Sequence, residues 1–179
     1  MKNTFLLLVI TGLFITGNQS LTAQEAVASK QFYTEMGGPG VIMSANFDGR
    51  FKSNVRLGWG YRLGAGFSVG KFEELSADGL YEDVHRTIYT FPAGLNYVFG
   101  RPDRTLTFEV GAGATYLSRE VSIFNWDVEK PGHVIGFVTF MFRRTPVNGG
   151  FSFRIGFTPI IGTAGDMMPS GAIGFGYAF

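Results

Sequence analysis

The sequence ends with Gly171-Ala-Ile-Gly-Phe-Gly-Tyr-Ala-Phe179, in which every second residue is large and apolar and the residues between are glycine or alanine. A period of two is the side-chain period of a β-strand, because successive side chains point to opposite faces. The stretch is therefore predicted to be a strand, and an apolar face ending on an aromatic residue is typical of the strand that closes a β-barrel in lipid. The small residues from Ala172 to Ala178 predict larger neighbours inside the barrel, such as Arg154 or Arg56.

Composition restricts the class of protein. The 179 residues suit one domain, and only 16% of them are charged, where soluble domains have about 25%. The absence of cysteine excludes disulfides, thiolate catalysis, thiolate metal sites and a lipid-modified amino-terminal cysteine. A formal net charge of +1 gives no indication of nucleic-acid binding.

The amino-terminal segment predicts export. Lys2 precedes the apolar run Phe5–Ile15, which is shorter than the roughly 20 residues of a membrane-spanning helix and fits a cleaved signal peptide. We predict a signal peptide over residues 1–23, with cleavage between 23 and 28, a periplasmic segment over 24–30 and a barrel over 31–179. Because no later apolar run reaches helix-spanning length, a membrane protein of this sequence must be a barrel.

Alternating segments predict the other strands of the barrel. These are Gln31–Met36, Val41–Phe47, Val55–Gly70, Arg86–Phe99, Thr105–Leu117, His133–Phe142 and Phe151–Ile161. With the last strand the count is eight if the Gly37–Gly40 cluster is a reversal, and seven if Phe32–Phe47 is one bulged strand. We predict an all-β, transmembrane, antiparallel up-and-down barrel of eight strands, since an even count puts both ends of the barrel on the periplasmic side.

The connections between these strands alternate in length. Short turns at Asp48–Asn54, Gly100–Arg104 and Arg143–Gly150 are predicted at the periplasmic end. The connections predicted at the external end are longer and acidic, namely Phe72–Val84, Ser118–Gly132 and Gly162–Ser170. Short periplasmic turns and longer external loops are the pattern of outer-membrane barrels.

Five segments carry a family resemblance, namely Glu35–Gly40, Phe91–Tyr97, Glu109–Ala114, Gly149–Pro159 and Gly176–Phe179. As a set they make the chain similar to small outer-membrane β-barrel proteins of Gram-negative bacteria whose biochemical role is uncharacterised. The terminal Phe179, with Tyr177 and Phe175 before it, resembles the signal that the barrel-assembly machinery recognises. The resemblance implies that machinery, outer-membrane lipid and lipopolysaccharide as partners, and it implies no activity.

Charged side chains fall on the predicted inner face of the barrel. They are Arg56, Arg62 and Arg154 with Glu35 and Glu109. An eight-stranded barrel has an interior just wide enough for side chains to fill, and buried charges must be paired. We predict a structural network of arginine and glutamate that fills the lumen, and a narrow polar conduit is the alternative.

Two histidines are the candidates for chemistry. A hydrolase or acyltransferase site at the barrel mouth would combine them with nearby polar residues, the set being His85, His133, Asp83, Asp127 and Ser118. No spacing enforces a triad, which is defined by geometry, so we predict a protein that is not an enzyme. The acidic loop Glu73–Asp83 lacks the ligand spacing of a calcium loop, and we predict neither a metal site nor a cofactor.

Four functions follow from this sequence. The first is a non-enzymatic outer-membrane barrel with a filled lumen, acting structurally or by presenting its loops. The alternatives are a narrow transport or binding barrel for a small apolar or ionic solute, a barrel-mouth enzyme and a soluble lipocalin-like binder. The sequence leaves the oligomeric state and the physiological role open.

Overall fold

The computed structural model describes residues 27–75, 80–121, 132–162 and 165–179. The predicted signal peptide and the candidate Asp127 lie outside these ranges. Within these ranges, no helix is long and apolar enough to cross a membrane.

The described residues form ten strands and one turn of 3-10 helix, Gly38–Gly40. The strands are β1 Lys30–Gly37, β2 Met43–Arg50, β3 Gly58–Leu75, β4 Tyr81–Gly100, β5 Leu106–Val121, β6 Gly132–Arg144, β7 Gly150–Phe157, β8 Ile160–Ile161, β9 Met167–Met168 and β10 Gly171–Ala178.

All neighbouring strands pair antiparallel, and the sheet closes on itself. The order is β5-β4-β3-β2-β1-β10-β7-β6, and β5 pairs with β6 to complete the circle. The last predicted strand, β10, pairs with β1 from Gln31 opposite Ala178 to Gly37 opposite Ala172. In the described part of the chain eight strands surround the lumen, so the prediction of eight rather than seven is confirmed.

The two shortest strands extend the barrel wall. Thr158 and Pro159 separate β7 from β8 because proline has no N–H to donate to a ladder. The wall nevertheless continues, since Val138 N donates to Pro159 O at 3.1 Å and β8 pairs with both β6 and β9. We call the end of the barrel where Lys30 and Phe179 lie the terminal end, and the opposite end the loop end.

Several strands extend beyond their predicted bounds. Strand β3 extends to Leu75 and β4 begins at Tyr81. The prediction of an irregular connection over Phe72–Val84 is therefore wrong. At about 3.3 Å per residue these strands are far longer than the ~9–11 residues that cross a bilayer. At the terminal end β2 continues through Arg50 and β6 through Arg144, so the turns predicted to begin at Asp48 and Arg143 begin later.

Many large apolar side chains are exposed on the outer surface of the barrel, and its terminal end carries an aromatic ladder. Trp59, Tyr97 and Phe99 stand in line on β3 and β4, with ring centroids 5.3 and 6.5 Å apart. The line continues around β5, β6 and β7 through Phe108, Phe142 and Phe153, with successive centroids 5.9, 5.6 and 6.3 Å apart.

Glycines on the inner face give space to large side chains. A Cβ at Gly174 of β10 would lie 3.0 Å from Cγ of Arg154. Of the two neighbours that the sequence predicted for this strand, Arg154 is therefore the one that occupies the space.

Candidate functional site

The loop end of the lumen is filled by apolar side chains. Ile88, Leu117, Ile135 and Ile160 form a buried cluster. Val41, Phe72 and Met168 are partly buried and pack against it. This layer separates the polar interior of the barrel from the loop end.

The 3-10 turn Gly38–Gly40 folds into the lumen below the apolar layer. All three of its residues are buried. Thr115 Oγ1 donates to Pro39 O at 2.7 Å and Thr90 Oγ1 donates to Gly40 O at 3.1 Å. The connection between β1 and β2 is therefore an internal part of the barrel, held by hydroxyls of β4 and β5.

The middle of the lumen holds two of the predicted arginines. Arg62 donates from Nη2 to Glu35 Oε2 at 2.7 Å and from Nε to Tyr33 Oη at 2.6 Å. Arg154 Nη2 donates to Glu109 Oε1 at 2.5 Å, and its Nε lies 3.4 Å from Glu35 Oε2. The Arg154 guanidinium also lies over the Tyr33 ring, 4.4 Å from its centroid, where a cation is attracted to the ring face.

A second group lies nearer the terminal end. Arg143 Nη1 donates to Glu109 Oε2 at 2.5 Å, and its Nη2 lies 3.3 Å from Asp48 Oδ1. Arg50 Nη2 donates to the same Asp48 oxygen at 2.6 Å, and Asn96 Nδ2 donates to Asp48 Oδ2 at 2.5 Å. Glu35, Glu109 and Asp48 thus join these charges into one connected set.

We call this set the lumen network. Its members are Glu35, Asp48, Arg50, Arg62, Glu109, Arg143 and Arg154. Four arginines and three carboxylates give it a formal charge of +1. Each member is less than one-tenth exposed, so pairing offsets the large cost of burying the charges.

The structure places Arg56 outside the lumen network. It lies in the β2–β3 turn, because β3 begins only at Gly58. Its Nη1 donates to Thr145 O at 2.6 Å, and its Nη2 donates to Arg101 O at 3.3 Å, to Pro102 O at 3.1 Å and to Arg104 O. Arg56 is buried at the terminal end of the barrel, where its guanidinium binds the carbonyls of two neighbouring turns, so the prediction that it joins the network of arginine and glutamate is wrong.

The chain just before β1 covers the terminal end of the lumen. Ala28 N donates to Val147 O at 2.8 Å, and Arg50 N donates to Ser29 O at 2.9 Å. The cavity below the lumen network has a volume of about 10 Å³, which is about the space that one water molecule needs. Its lining includes Ala28, Ser29, Lys30, Gln31, Asp48, Arg50, Arg56, Arg143 and Thr145.

Four of the five predicted lumen residues therefore meet, and the structure adds several that the sequence reasoning missed. The added residues are Asp48, Arg50, Arg143, Tyr33 and Gln31. Continued alternation was the signal for Asp48, which follows the inward Ser44 and Asn46 at a period of two. Its neighbour Gly49 made the position resemble a turn instead.

Two of the predicted assembly residues lie on the outer face of β10, and Phe179 follows its last residue. Phe175, Tyr177 and Phe179 are all exposed. The backbone of Phe179 exchanges two hydrogen bonds of 2.9 Å with Lys30 across the closing pair of strands.

The candidate catalytic residues have other partners. His133 stacks on Tyr116 at 5.7 Å, its Nδ1 lies 2.9 Å from Leu117 O, and its Nε2 lies 3.5 Å from Glu120 Oε1. Ser118 Oγ accepts a hydrogen bond of 2.9 Å from Tyr89 N. His85 is exposed on β4 opposite Lys71. None of the hydrogen bonds described here joins Ser118 to a histidine.

The fold and the lumen network define the class: a closed, antiparallel, eight-stranded β-barrel with a side-chain-filled interior. The chain is similar to the N-terminal β-barrel domain of Pseudomonas aeruginosa OprF, with 14% identity, a TM-score of 0.47 and coverage of 86% of this chain and 98% of that one. It is also similar to Ail, the attachment invasion locus protein of Yersinia pestis, whose structure was solved in complex with the heparin analogue sucrose octasulfate. The identity is 18%, the TM-score is 0.38, and the match covers 86% of this chain and 97% of that one. No protein-family model and no curated protein matches the sequence.

Proposed function

We propose that the protein is an integral outer-membrane barrel that is not an enzyme, acts structurally or by presenting its loop end, and does not conduct through its lumen. The observation that carries this proposal is the lumen network. Its seven charged side chains are mutually paired across the barrel, with the Gly38–Gly40 turn above them and the chain from Ala28 to Lys30 below.

The outer surface supports a location in lipid. Large apolar side chains on β1, β3, β4, β5, β6, β7 and β10 are 37% or more exposed. A soluble protein rarely exposes apolar patches beyond a few hundred Å², whereas a lipid-facing barrel has such a band bordered by aromatic residues. Outer-membrane lipid, lipopolysaccharide and the barrel-assembly machinery are the partners that this proposal requires, with the terminal end facing the periplasm.

Membrane fractionation tests the location. We expect the protein in the outer-membrane fraction, migrating faster in a gel before heating than after, as closed barrels do when they resist unfolding by detergent. A protein that remains soluble and does not shift on heating would contradict the proposed location.

Planar-bilayer recording tests the filled lumen. The wild-type barrel is expected to give no resolved conductance steps, because the paired side chains leave no continuous aqueous path. The double variant Arg143→Ala and Arg154→Ala removes two large lumen side chains and is the positive control, once its gel shift shows a closed barrel. Well-resolved steps from the wild type would overturn the filled-lumen proposal and favour the conduit.

A further inference from the structure

An open cleft lies on the outside of the barrel at the β4–β5 turn. Its volume is about 340 Å³ and its lining is Gly100, Arg101, Arg104, Thr105, Leu106 and Phe108. Leu106 and Phe108 are 49% and 52% exposed and form an apolar wall. Arg101 and Arg104 also line the cleft and form its cationic rim, so that the cleft joins an apolar surface to a cationic one.

The rim has an excess of positive charge. Arg101 and Arg104 are exposed, and Arg144 stands beside them, because it pairs with Leu106 on the neighbouring strand and is also exposed. Asp103 is the nearby acid, and its Oδ2 lies 3.7 Å from Arg104 Nε, with both side chains largely in solvent. Three arginines against one aspartate leave a formal charge of +2.

The β4–β5 turn, which carries Arg101 and Arg104, is stabilised by hydrogen bonds from Arg56. The Arg56 guanidinium donates to the carbonyls of Arg101, Pro102 and Arg104. With their carbonyls engaged, Arg101 and Arg104 present their side chains on a turn of defined shape. A binding surface that is already ordered loses less conformational entropy when a ligand arrives.

The cleft lies at the level of the aromatic ladder. The Phe108 ring is 5.9 Å from Phe99 and 5.6 Å from Phe142, and such aromatic girdles mark the boundary between hydrocarbon and head groups. Leu106 and Phe108 would contact acyl chains while the arginines meet the head-group layer. Guanidinium groups bind phosphate oxygens with two parallel hydrogen bonds.

We propose that this cleft binds the phosphate of an anionic glycerophospholipid in the periplasmic leaflet, with Arg101 and Arg104 as its ligands and Arg56 as the positioning residue. The site rests on the proposed function, because it requires the barrel to be embedded with its terminal end in that leaflet. Excess positive charge favours phosphatidylglycerol over a zwitterionic lipid with the same chains.

Native mass spectrometry of the full protein tests this site. The barrel is released from micelles that contain equal amounts of phosphatidylglycerol and phosphatidylcholine with identical acyl chains. We expect the phosphatidylglycerol adduct to predominate, with a preference that falls about fivefold for each rim arginine removed, as one basic residue contributes near an anionic surface. The variants are Arg101→Gln with Arg104→Gln, and Arg119→Gln as the control.

Arg119 suits the control because it is an exposed arginine near the loop end of β5, so its loss should leave the preference unchanged. Arg56→Met should lower the preference although both rim charges remain. Equal adducts of the two lipids on the wild type, or an unchanged preference in the double variant, would overturn the site. A gel shift on each sample separates the two proposals: a closed barrel without lipid preference overturns the site alone, and a chain that forms no barrel overturns both.

Discussion

At the scale of single residues, Glu109 is a carboxylate that links the two parts of the lumen network. It is 1% exposed on β5, and its two oxygens accept hydrogen bonds from Arg143 on β6 and Arg154 on β7. One side chain therefore joins three strands. Removing one partner of a buried ion pair leaves the other charge without compensation in a medium of low dielectric constant.

We therefore expect Glu109→Gln to lower the free energy of unfolding by about 3–5 kcal/mol. The glutamine keeps the shape of the side chain but leaves two buried guanidinium groups facing a neutral amide. Urea unfolding of the barrel in micelles measures the change. Glu120→Gln, on the exposed end of the same strand, is the control and should change stability by less than about 0.5 kcal/mol. If Glu109→Gln were as stable as the wild type, the proposal that the lumen network stabilises the filled lumen would be wrong.

Charged residues on the inner face could be predicted where apolar and polar residues alternate without a break. They could not be predicted where the local sequence resembles a turn. Glu35, Arg62, Glu109 and Arg154 each stand between small or polar residues on an obvious inner face. Asp48 is followed by Gly49, a pair that is typical of hairpin turns, and it stays in β2 because Arg143, 95 residues away, lies 3.3 Å from its carboxylate. A contact between residues so far apart in the chain cannot be predicted from the local sequence.

At the scale of elements, the inward 3-10 turn needs glycine for two separate reasons. Gly38 has a φ of 65°, a conformation that side chains with a Cβ rarely adopt. A Cβ at this position would also lie 2.8 Å from the Cβ of Ala172 on β10. The turn is therefore held both by backbone conformation and by close packing inside the wall.

Gly38→Ala is expected to lower stability by about 2–4 kcal/mol, since it adds overpacking to backbone strain. Gly58→Ala is the matched control: its φ is 97°, but an added Cβ would meet nothing within 4 Å. Its effect should stay near the roughly 1–2 kcal/mol of the backbone term alone. The temperature at which the gel shift is lost compares the two, and equal losses would show that packing around the turn contributes nothing.

The closing strand makes a separate prediction about assembly. Phe179→Ala removes the exposed ring and keeps the two backbone hydrogen bonds to Lys30. Deletion of Phe179 removes the ring and the two hydrogen bonds. We expect each change to lower the amount of closed barrel in the membrane fraction. Phe67→Ala, an exposed phenylalanine on the distant β3, is the control and should assemble normally. Normal levels of the deletion variant would remove the assignment of an assembly signal.

At the scale of the whole molecule, the two ends of the barrel differ in length and charge. The β3–β4 hairpin extends beyond the rest of the wall at the loop end, and short turns with arginines occupy the terminal end. The hairpin was predicted as a loop because its residues are polar. In the proposed membrane orientation, strand residues beyond the bilayer need no apolar face, so the alternation fades while the ladder of backbone hydrogen bonds continues.

Cysteine labelling in intact cells tests this orientation. The natural sequence has no cysteine, so each introduced thiol reports one position. Leu80→Cys, at a site 68% exposed at the loop end, should react with a membrane-impermeant maleimide added outside the cells. Asp103→Cys, exposed in the β4–β5 turn, should react only after the outer membrane is opened. The reverse result would invert the proposed topology.

The buried Gly38–Gly40 turn also limits the sequence of events by which the barrel can form. It is enclosed by β3, β4, β5, β6 and β10, and its carbonyls are bound by hydroxyls from two of those strands. The apolar layer of Ile88, Leu117, Ile135 and Ile160 lies above the turn at the open loop end of the barrel. The β1–β2 connection must therefore bend inward before that layer packs over it. During folding, the amides of this turn should gain protection from hydrogen exchange no later than those beside the apolar layer.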